Sequence, residues 1–147
     1  MSSLHTYHSP ALLIDGEWIP AGQRDGLEVT NPANGEKLGD VPVATLADID
    51  AAVDAAQCAF GPWSQRTPLD RSGILRRIGD LVRTHIDRLS VILTMEQGKT
   101  LRESVGELNA TADTFDWMAE EGKRAYGRIV PSRFAGMEQL VVYEPVG

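Results

Sequence analysis

Apolar and polar positions alternate along the chain in a pattern that separates strand-like ends from a helical middle. Strand-like segments at 12–14 and 17–19 flank Asp15-Gly16, a dipeptide that accepts the positive φ angles of a tight hairpin turn. A second pair of runs, at 27–30 and 37–41, flanks a turn that contains proline and glycine. We therefore predict two β-hairpins at the start of the chain.

Helical spacing begins after Thr45, which is a predicted N-cap with Asp48 three residues further on. The pattern predicts a helix over 46–60 that buries one face and ends at Gly61-Pro62. The residues of that face are Ile49, Val53, Ala56 and Phe60.

A second helical segment is predicted to start after Thr67, with Pro68 as its first residue. Proline suits this position because an amide hydrogen there would have no partner within the helix. We expect a break near His85 and a helix stop at Gly98, since glycine is preferred just after a helix end. The apolar stripe of its first part consists of Ile74, Leu75, Ile78, Leu81 and Val82.

The clearest helical pattern follows Thr100, which forms a full capping-box sequence with Glu103. It predicts a helix from 101 to about 125. Beyond this helix, apolar residues at 129–131 and 140–143 predict β-structure. The helix positions that repeat at spacings of three and four are Val105, Leu108, Ala112, Phe115 and Ala119.

The composition narrows the class of protein. With 147 residues, of which 42% are hydrophobic and 24% charged, the chain fits one soluble globular domain. The net charge of −7 argues against nucleic acid and anionic membranes as partners, and no apolar run is long enough to cross a bilayer. The single cysteine fits a reducing compartment, so a cytoplasmic location is predicted.

Two motifs could carry chemistry, and both have structural explanations. Gly98-Lys99-Thr100 resembles the end of a phosphate-binding loop, but Leu93 stands where that motif requires glycine. Cys58 is placed across the helix from its apolar face. There, Asp54 and the negative end of the helix dipole disfavour a thiolate.

No residue is assigned to a catalytic, cofactor-binding or metal site. The three histidines, His5, His8 and His85, have no cysteine or carboxylate-rich helix at metal-ligand spacing, which argues against a zinc site.

Four separated segments, 12–18, 30–36, 95–100 and 144–147, together resemble the opening of the aldehyde dehydrogenase superfamily. Their shared order and spacing carry the resemblance, since chance would have to supply all four in register. The stretch 117–127 is further similar to the succinate-semialdehyde dehydrogenase branch.

The resemblance implies an α/β fold: the N-terminal hairpins and helical layer of the family's nucleotide-binding domain, which would be incomplete. Residues 1–11 are then expected to be disordered, 12–127 to belong to that domain, and 128–147 to begin the strand segment used in oligomerisation. The implied partners are the remainder of the enzyme and sister subunits.

Complete members of the family oxidise an aldehyde by thiolate attack, hydride transfer to nicotinamide and hydrolysis of the thioester. The resemblance implies NAD or NADP for the complete enzyme, and none for this chain, because the catalytic residues would lie beyond Gly147. The chain alone is therefore predicted to be inactive, with succinate semialdehyde as the candidate substrate of the whole enzyme.

Some family members bind a monovalent cation near the position of Glu107 and the backbone around 29–30. The alternative is that Glu107 is a solvated or paired helix carboxylate. A competing reading of the whole chain is a non-catalytic interaction module, which would use the apolar stripes of helices 68–97 and 101–121 as a docking surface.

Overall fold

A computed structural model describes residues 7–22 and 24–146 of the chain. The described residues form three antiparallel two-stranded hairpins and four helices, in the predicted order of hairpins, helical layer and final strands. The elements are β1 Ala11–Ile14, β2 Glu17–Pro20, β3 Gly26–Thr30, β4 Lys37–Pro42, α1 Leu46–Ser64, α2 Pro68–Thr84, α3 Ile86–Gln97, α4 Leu101–Glu121, β5 Arg128–Pro131 and β6 Glu138–Val141. The predicted fold class is confirmed.

The first hairpin turns as its sequence predicts. Asp15 and Gly16 adopt φ angles of 50° and 82°, and Leu12 pairs with Ile19 across the strands. Two successive positive φ values match the right-handed twist of the flanking strands, which explains the Asp-Gly dipeptide.

Capping side chains set the helix starts, as predicted. Thr45 and Thr100 each form a complete capping box, with Asp48 and Glu103 as the reciprocal partners. Gly98 ends α3 with a φ of 73°, and a Cβ placed there would lie 2.8 Å from Cγ of Pro32. Glycine thus both ends the helix and allows the β3–β4 turn to approach it closely.

Helix α1 differs from its prediction in length. It continues through Gly61-Pro62 to Ser64, because a proline near the C-terminal end of a helix removes only one of its hydrogen bonds. The Ser64 hydroxyl and the Gln65 amide both donate to the Gly61 carbonyl, at 2.9 and 3.2 Å, which closes the last turn.

The predicted burial of one α1 face was wrong for this chain. Ile49, Val53 and Ala56 are exposed, and Phe60 is half-buried. Among the described residues α1 packs mainly against β1, and a four-residue strand is too small to cover a helix of 19 residues.

The core lies between α2, α3 and α4. Ala112 and Ala119 of α4 are fully buried, and a Cβ on Gly79 of α2 would lie 3.1 Å from the Ala112 carbonyl oxygen. The hydroxyls of Thr94 on α3 and Ser104 on α4 are 2.8 Å apart, and Ser104 is fully buried. Small residues therefore allow the helices to approach closely.

Charged side chains line the rim of the α2–α4 contact. Arg83 of α2 donates to Asp113 and Asp116 of α4 at 2.7 and 2.8 Å, and Arg76 pairs with Glu120. These ion pairs are partly exposed, so their role is to fix the register of the two helices rather than to supply much stability.

Helix α4 ends at Glu121, one turn before the predicted end near residue 125.

The start of the described chain contacts α3, and the last strand ends earlier than predicted. Residues 1–6 of the stretch expected to be disordered lie outside the described residues, whereas Ala11 begins β1 and the Tyr7 hydroxyl donates to Glu96 of α3 at 2.6 Å. At the other end, β6 stops at Val141, two residues short of its predicted end.

Within 7–22 and 24–146, no helix combines the length and apolarity that crossing a bilayer requires.

Two glycines of α2 provide a matched test of the close approach. A Cβ on Gly73 meets nothing within 4 Å, so Gly73→Ala is expected to raise the free energy of unfolding by about 0.5–1 kcal/mol. Gly79→Ala must move the Ala112 backbone, so it is expected to lower that free energy by about 1–3 kcal/mol. Urea unfolding followed by circular dichroism measures both, and equal stabilisation by the two substitutions would disprove the close approach.

A second prediction concerns the start of α4. Thr100→Ala removes a capping box and is expected to cost about 1 kcal/mol. Thr111→Ala on the same helix removes only a bond to the Glu107 carbonyl and serves as the control, with a change near zero expected. Hydrogen exchange of amides between Val105 and Ala119 reads out the difference, and unprotected amides there in the unsubstituted chain would contradict the structure.

Candidate functional site

The only cysteine lies in an exposed position. Cys58 is a free thiol on α1, three residues before Gly61 and four before Pro62. Because proline has no amide hydrogen, the Cys58 carbonyl lacks its usual helical donor. The interpretation of Cys58 as a non-catalytic residue stays a prediction.

The Glu107 carboxylate is paired. The Lys99 ammonium donates to it, and Lys99 follows directly after the glycine that ends α3. Within the part of the chain that the structure describes, no three His, Cys, Asp or Glu side chains gather as metal ligands. The pairing supports the alternative of a paired carboxylate, and cation binding near Glu107 stays untested.

Gly98, Lys99 and Thr100 connect two helices. A phosphate-binding loop instead follows a strand. The Thr100 hydroxyl and amide both contact the Glu103 carboxylate, at 2.9 Å each, so this side chain is engaged in capping. The structure confirms the reading of Gly98 as a helix stop.

The two described histidines are far apart in the sequence, and neither belongs to a helix or strand. His8 precedes β1 and His85 joins α2 to α3, and both are exposed. His5 lies outside the described residues.

A polar cluster at the start of α1 contains the predicted Thr45–Asp48 pair and also Arg24, which the sequence did not reveal. One oxygen of Asp48 accepts hydrogen bonds from the Thr45 amide at 2.8 Å, from the Thr45 hydroxyl at 2.7 Å and from the Arg24 guanidinium. The side chain of Asp48 is only 11% exposed. The Arg24 and Thr45 hydrogen bonds hold the pKa of this carboxyl well below its usual range, so it is ionised at neutral pH.

A second contact missed from the sequence joins Tyr7 to Glu96. Burial, then the hydrogen bond to Glu96 and its negative charge, raise the pKa of Tyr7 to about 12. The residues are 89 positions apart, and no local pattern links them. Each cluster joins a helix to a segment outside the helices and strands, since Tyr7 precedes β1 and Arg24 lies between β2 and β3.

Apolar side chains form exposed surfaces on α1 and on the last hairpin. The α1 face borders an open groove of about 490 Å³. Its lining includes Val53, Ala56, Phe60, Trp63 and Val146. The exposed residues of the last hairpin and the segment after it are Ile129, Leu140, Val142 and Tyr143.

The apolar stripe of α2 is largely covered by α4. Ile74, Ile78 and Val82 are half-buried because α4 packs along this helix, and Leu81 is 50% exposed. The stripes that an interaction module would need are therefore largely used inside the chain.

The absence of catalytic and cofactor-binding residues from this chain stays a prediction. Dinucleotide-binding folds hold pyrophosphate at a turn between a parallel strand and a helix. The strands described here pair only in antiparallel hairpins, so this part of the chain does not form such a turn. That the chain alone binds neither NAD nor NADP stays a prediction.

Comparison with known proteins gives consistent matches over nearly the whole chain. The sequence profile of the aldehyde dehydrogenase family matches residues 18–147. The succinate-semialdehyde dehydrogenase (NADP(+)) of Escherichia coli strain K12 is 43% identical over 135 residues, which are 92% of this chain and 28% of that relative.

Solved structures agree with the sequence matches. The crystal structure of succinate-semialdehyde dehydrogenase from Burkholderia pseudomallei has a TM-score of 0.89 at 43% identity, covering 94% of this chain and 29% of that one. A betaine aldehyde dehydrogenase variant from Staphylococcus aureus, in complex with NAD+, has a TM-score of 0.88 at 30% identity, with 97% and 29% covered.

The chain thus spans less than a third of the length of these relatives. The profile match covers most of the chain, and the matched structures share its order of hairpins and helices. On these grounds the chain belongs to the aldehyde dehydrogenase family.

Proposed function

We propose that the chain is the amino-terminal, structural part of an NAD(P)-dependent aldehyde dehydrogenase subunit and is inactive by itself. The observation that carries this proposal is the extent of the likeness. It covers over nine-tenths of this chain but under a third of each relative reported above. The described residues form hairpins and packed helices, which suits a structural role.

The candidate substrate is succinate semialdehyde. This is supported by relatives whose names state that activity, from Escherichia coli at 43% identity and from Arabidopsis thaliana at 38%. These relatives do not single out one aldehyde, because a glutarate-semialdehyde dehydrogenase of Pseudomonas putida is 39% identical to the chain. A dicarboxylic semialdehyde is the chemistry shared by these names.

NAD or NADP is proposed as the cofactor of the complete enzyme, where it would accept the hydride from the substrate. The Escherichia coli relative is named for NADP(+), and the Staphylococcus aureus structure contains NAD+. The residues of this chain do not choose between them. Residues 12–127 are proposed to form the amino-terminal part of the nucleotide-binding domain. Residues 128–147 are proposed to begin the strand segment used in subunit association.

The remainder of the enzyme and sister subunits are the proposed partners. Exposed apolar side chains on α1 and on the last hairpin support this proposal, since such surfaces in a protein of this size commonly mark interfaces. The alternative of a helical interaction module has weaker support, because α2 and α4 pack against each other. The cytoplasmic location stays a prediction from the single cysteine.

The chain alone is expected to show neither NAD(P) binding nor oxidation of succinate semialdehyde. Calorimetric titration with both cofactors and an absorbance assay for reduced nicotinamide measure this, with the full-length Escherichia coli relative as positive control. Cys58→Ser is expected to change neither result, because Cys58 is an exposed α1 side chain with no catalytic role proposed. Turnover by the chain that disappears in Cys58→Ser would contradict the proposal.

A chimera tests the structural role directly. The 135 residues of this chain that match the Escherichia coli relative replace the corresponding part of that enzyme. If they are scaffold, the chimera is expected to retain kcat within about tenfold, since no transition-state contact has been removed. A tetrameric or dimeric, cooperatively melting chimera that binds cofactor but lacks turnover would contradict a purely structural role.

A further inference from the structure

The groove along α1 has an uncharged lining. Charged residues make up 24% of the chain, yet no described charged residue lines this groove of about 490 Å³. Among its lining residues, Val53 is 62% exposed and Trp63 is 41% exposed. Apolar surface left open in this way marks a contact with further protein. The lining residues are Val53, Ala56, Gln57, Ala59, Phe60, Trp63 and Val146.

The chain itself reaches this groove at Val146, which is fully exposed. The residues before it, 143–145, border a second cavity of about 640 Å³ together with residues from the end of α1. Phe60 and Trp63 line both cavities. The segment 143–146 therefore lies beside the C-terminal half of α1 and leads from the last hairpin to the groove.

The position of Val146 favours one kind of occupant for the groove. Val53 and Trp63 are ten positions apart on the helix, which corresponds to about 15 Å. About five residues of extended chain span that distance. Residues that continue from Val146 need no long loop to reach it, and their tether gives them an effective concentration of the order of millimolar at this surface. A sister subunit has no such tether.

We propose that the α1 groove is the docking site of the polypeptide that directly follows Gly147 in the complete subunit. About five extended residues, with apolar side chains on the face toward α1, cover the groove. The inference rests on the proposed function, because there the chain is the amino-terminal part of a longer subunit. It adds that the partner of this face is the same polypeptide and not a sister subunit.

Thiol labelling along α1 tests the proposal, because the helix offers a matched pair of positions. Ala56 lines the groove, whereas Cys58 is exposed and does not line it. Two forms each carry one thiol on α1: the native sequence, and Ala56→Cys together with Cys58→Ser. Each form is labelled with a maleimide in the 147-residue chain and in a chimera that continues into the remainder of the Escherichia coli relative. Mass spectrometry of the α1 peptide gives the rate at each position.

The thiol at position 56 is expected to react about tenfold more slowly, or slower still, in the chimera than in the chain, since a covered site must open before it reacts. Cys58 is expected to react at similar rates in both. Equal slowing at the two positions would overturn the assignment of the occupant to the groove. Slowing that disappears on dilution would assign the groove to a sister subunit and also overturn it.

The activity of the chimera separates this inference from the proposed function. An active chimera in which position 56 reacts as fast as in the chain would overturn the inference alone. An inactive chimera that protects position 56 would support the inference and count against the proposed function.

A shorter extension keeps the test decisive if the chimera does not fold. The chain is then followed by only about ten residues, those after the matched part of the Escherichia coli relative, which is enough to span the groove. The same slowing is expected at position 56 and none at Cys58. Unchanged labelling at position 56 in this extended chain would overturn the inference.

Discussion

The close approach of α2 and α4 at Gly79 is the constraint on which the rest of the helical layer depends. The Cβ that other residues carry would lie 3.1 Å from the Ala112 carbonyl oxygen, so the two helices meet backbone to backbone at this point. Ala112 and Ala119 are consequently fully buried, and α3 packs on the same side through Ser104. Once this contact is set, Arg83 lies opposite Asp113 and Asp116 and fixes the register of the pair.

The remaining elements are attached to this layer less tightly. The hairpins contact it through specific points, among them the Pro32 ring against Gly98 and the Tyr7 hydroxyl on Glu96. Helix α1 and the β5–β6 hairpin leave apolar side chains exposed, which a self-contained domain would cover. The chain therefore combines one well-packed helical layer with exposed apolar surfaces that suit further protein contacts.

Polar groups that could have carried chemistry serve the architecture instead. Lys99 pairs with Glu107, Thr100 caps α4 and Asp48 holds the start of α1. Each of these groups is hydrogen-bonded or ion-paired to a neighbour.

The sequence alone determined the features that depend on a few neighbouring residues: the Asp15-Gly16 turn, the Thr100 capping box and the helix stop at Gly98. It also determined the order of hairpins and helices, because the spacing of apolar residues within each short segment indicates a helix or a strand. Only the tertiary structure decided that Gly79 meets α4 and that Arg24 reaches Asp48, since these contacts join distant parts of the chain. The exposure of the α1 face was likewise undetermined, because periodicity predicts an apolar face and not the surface that covers it.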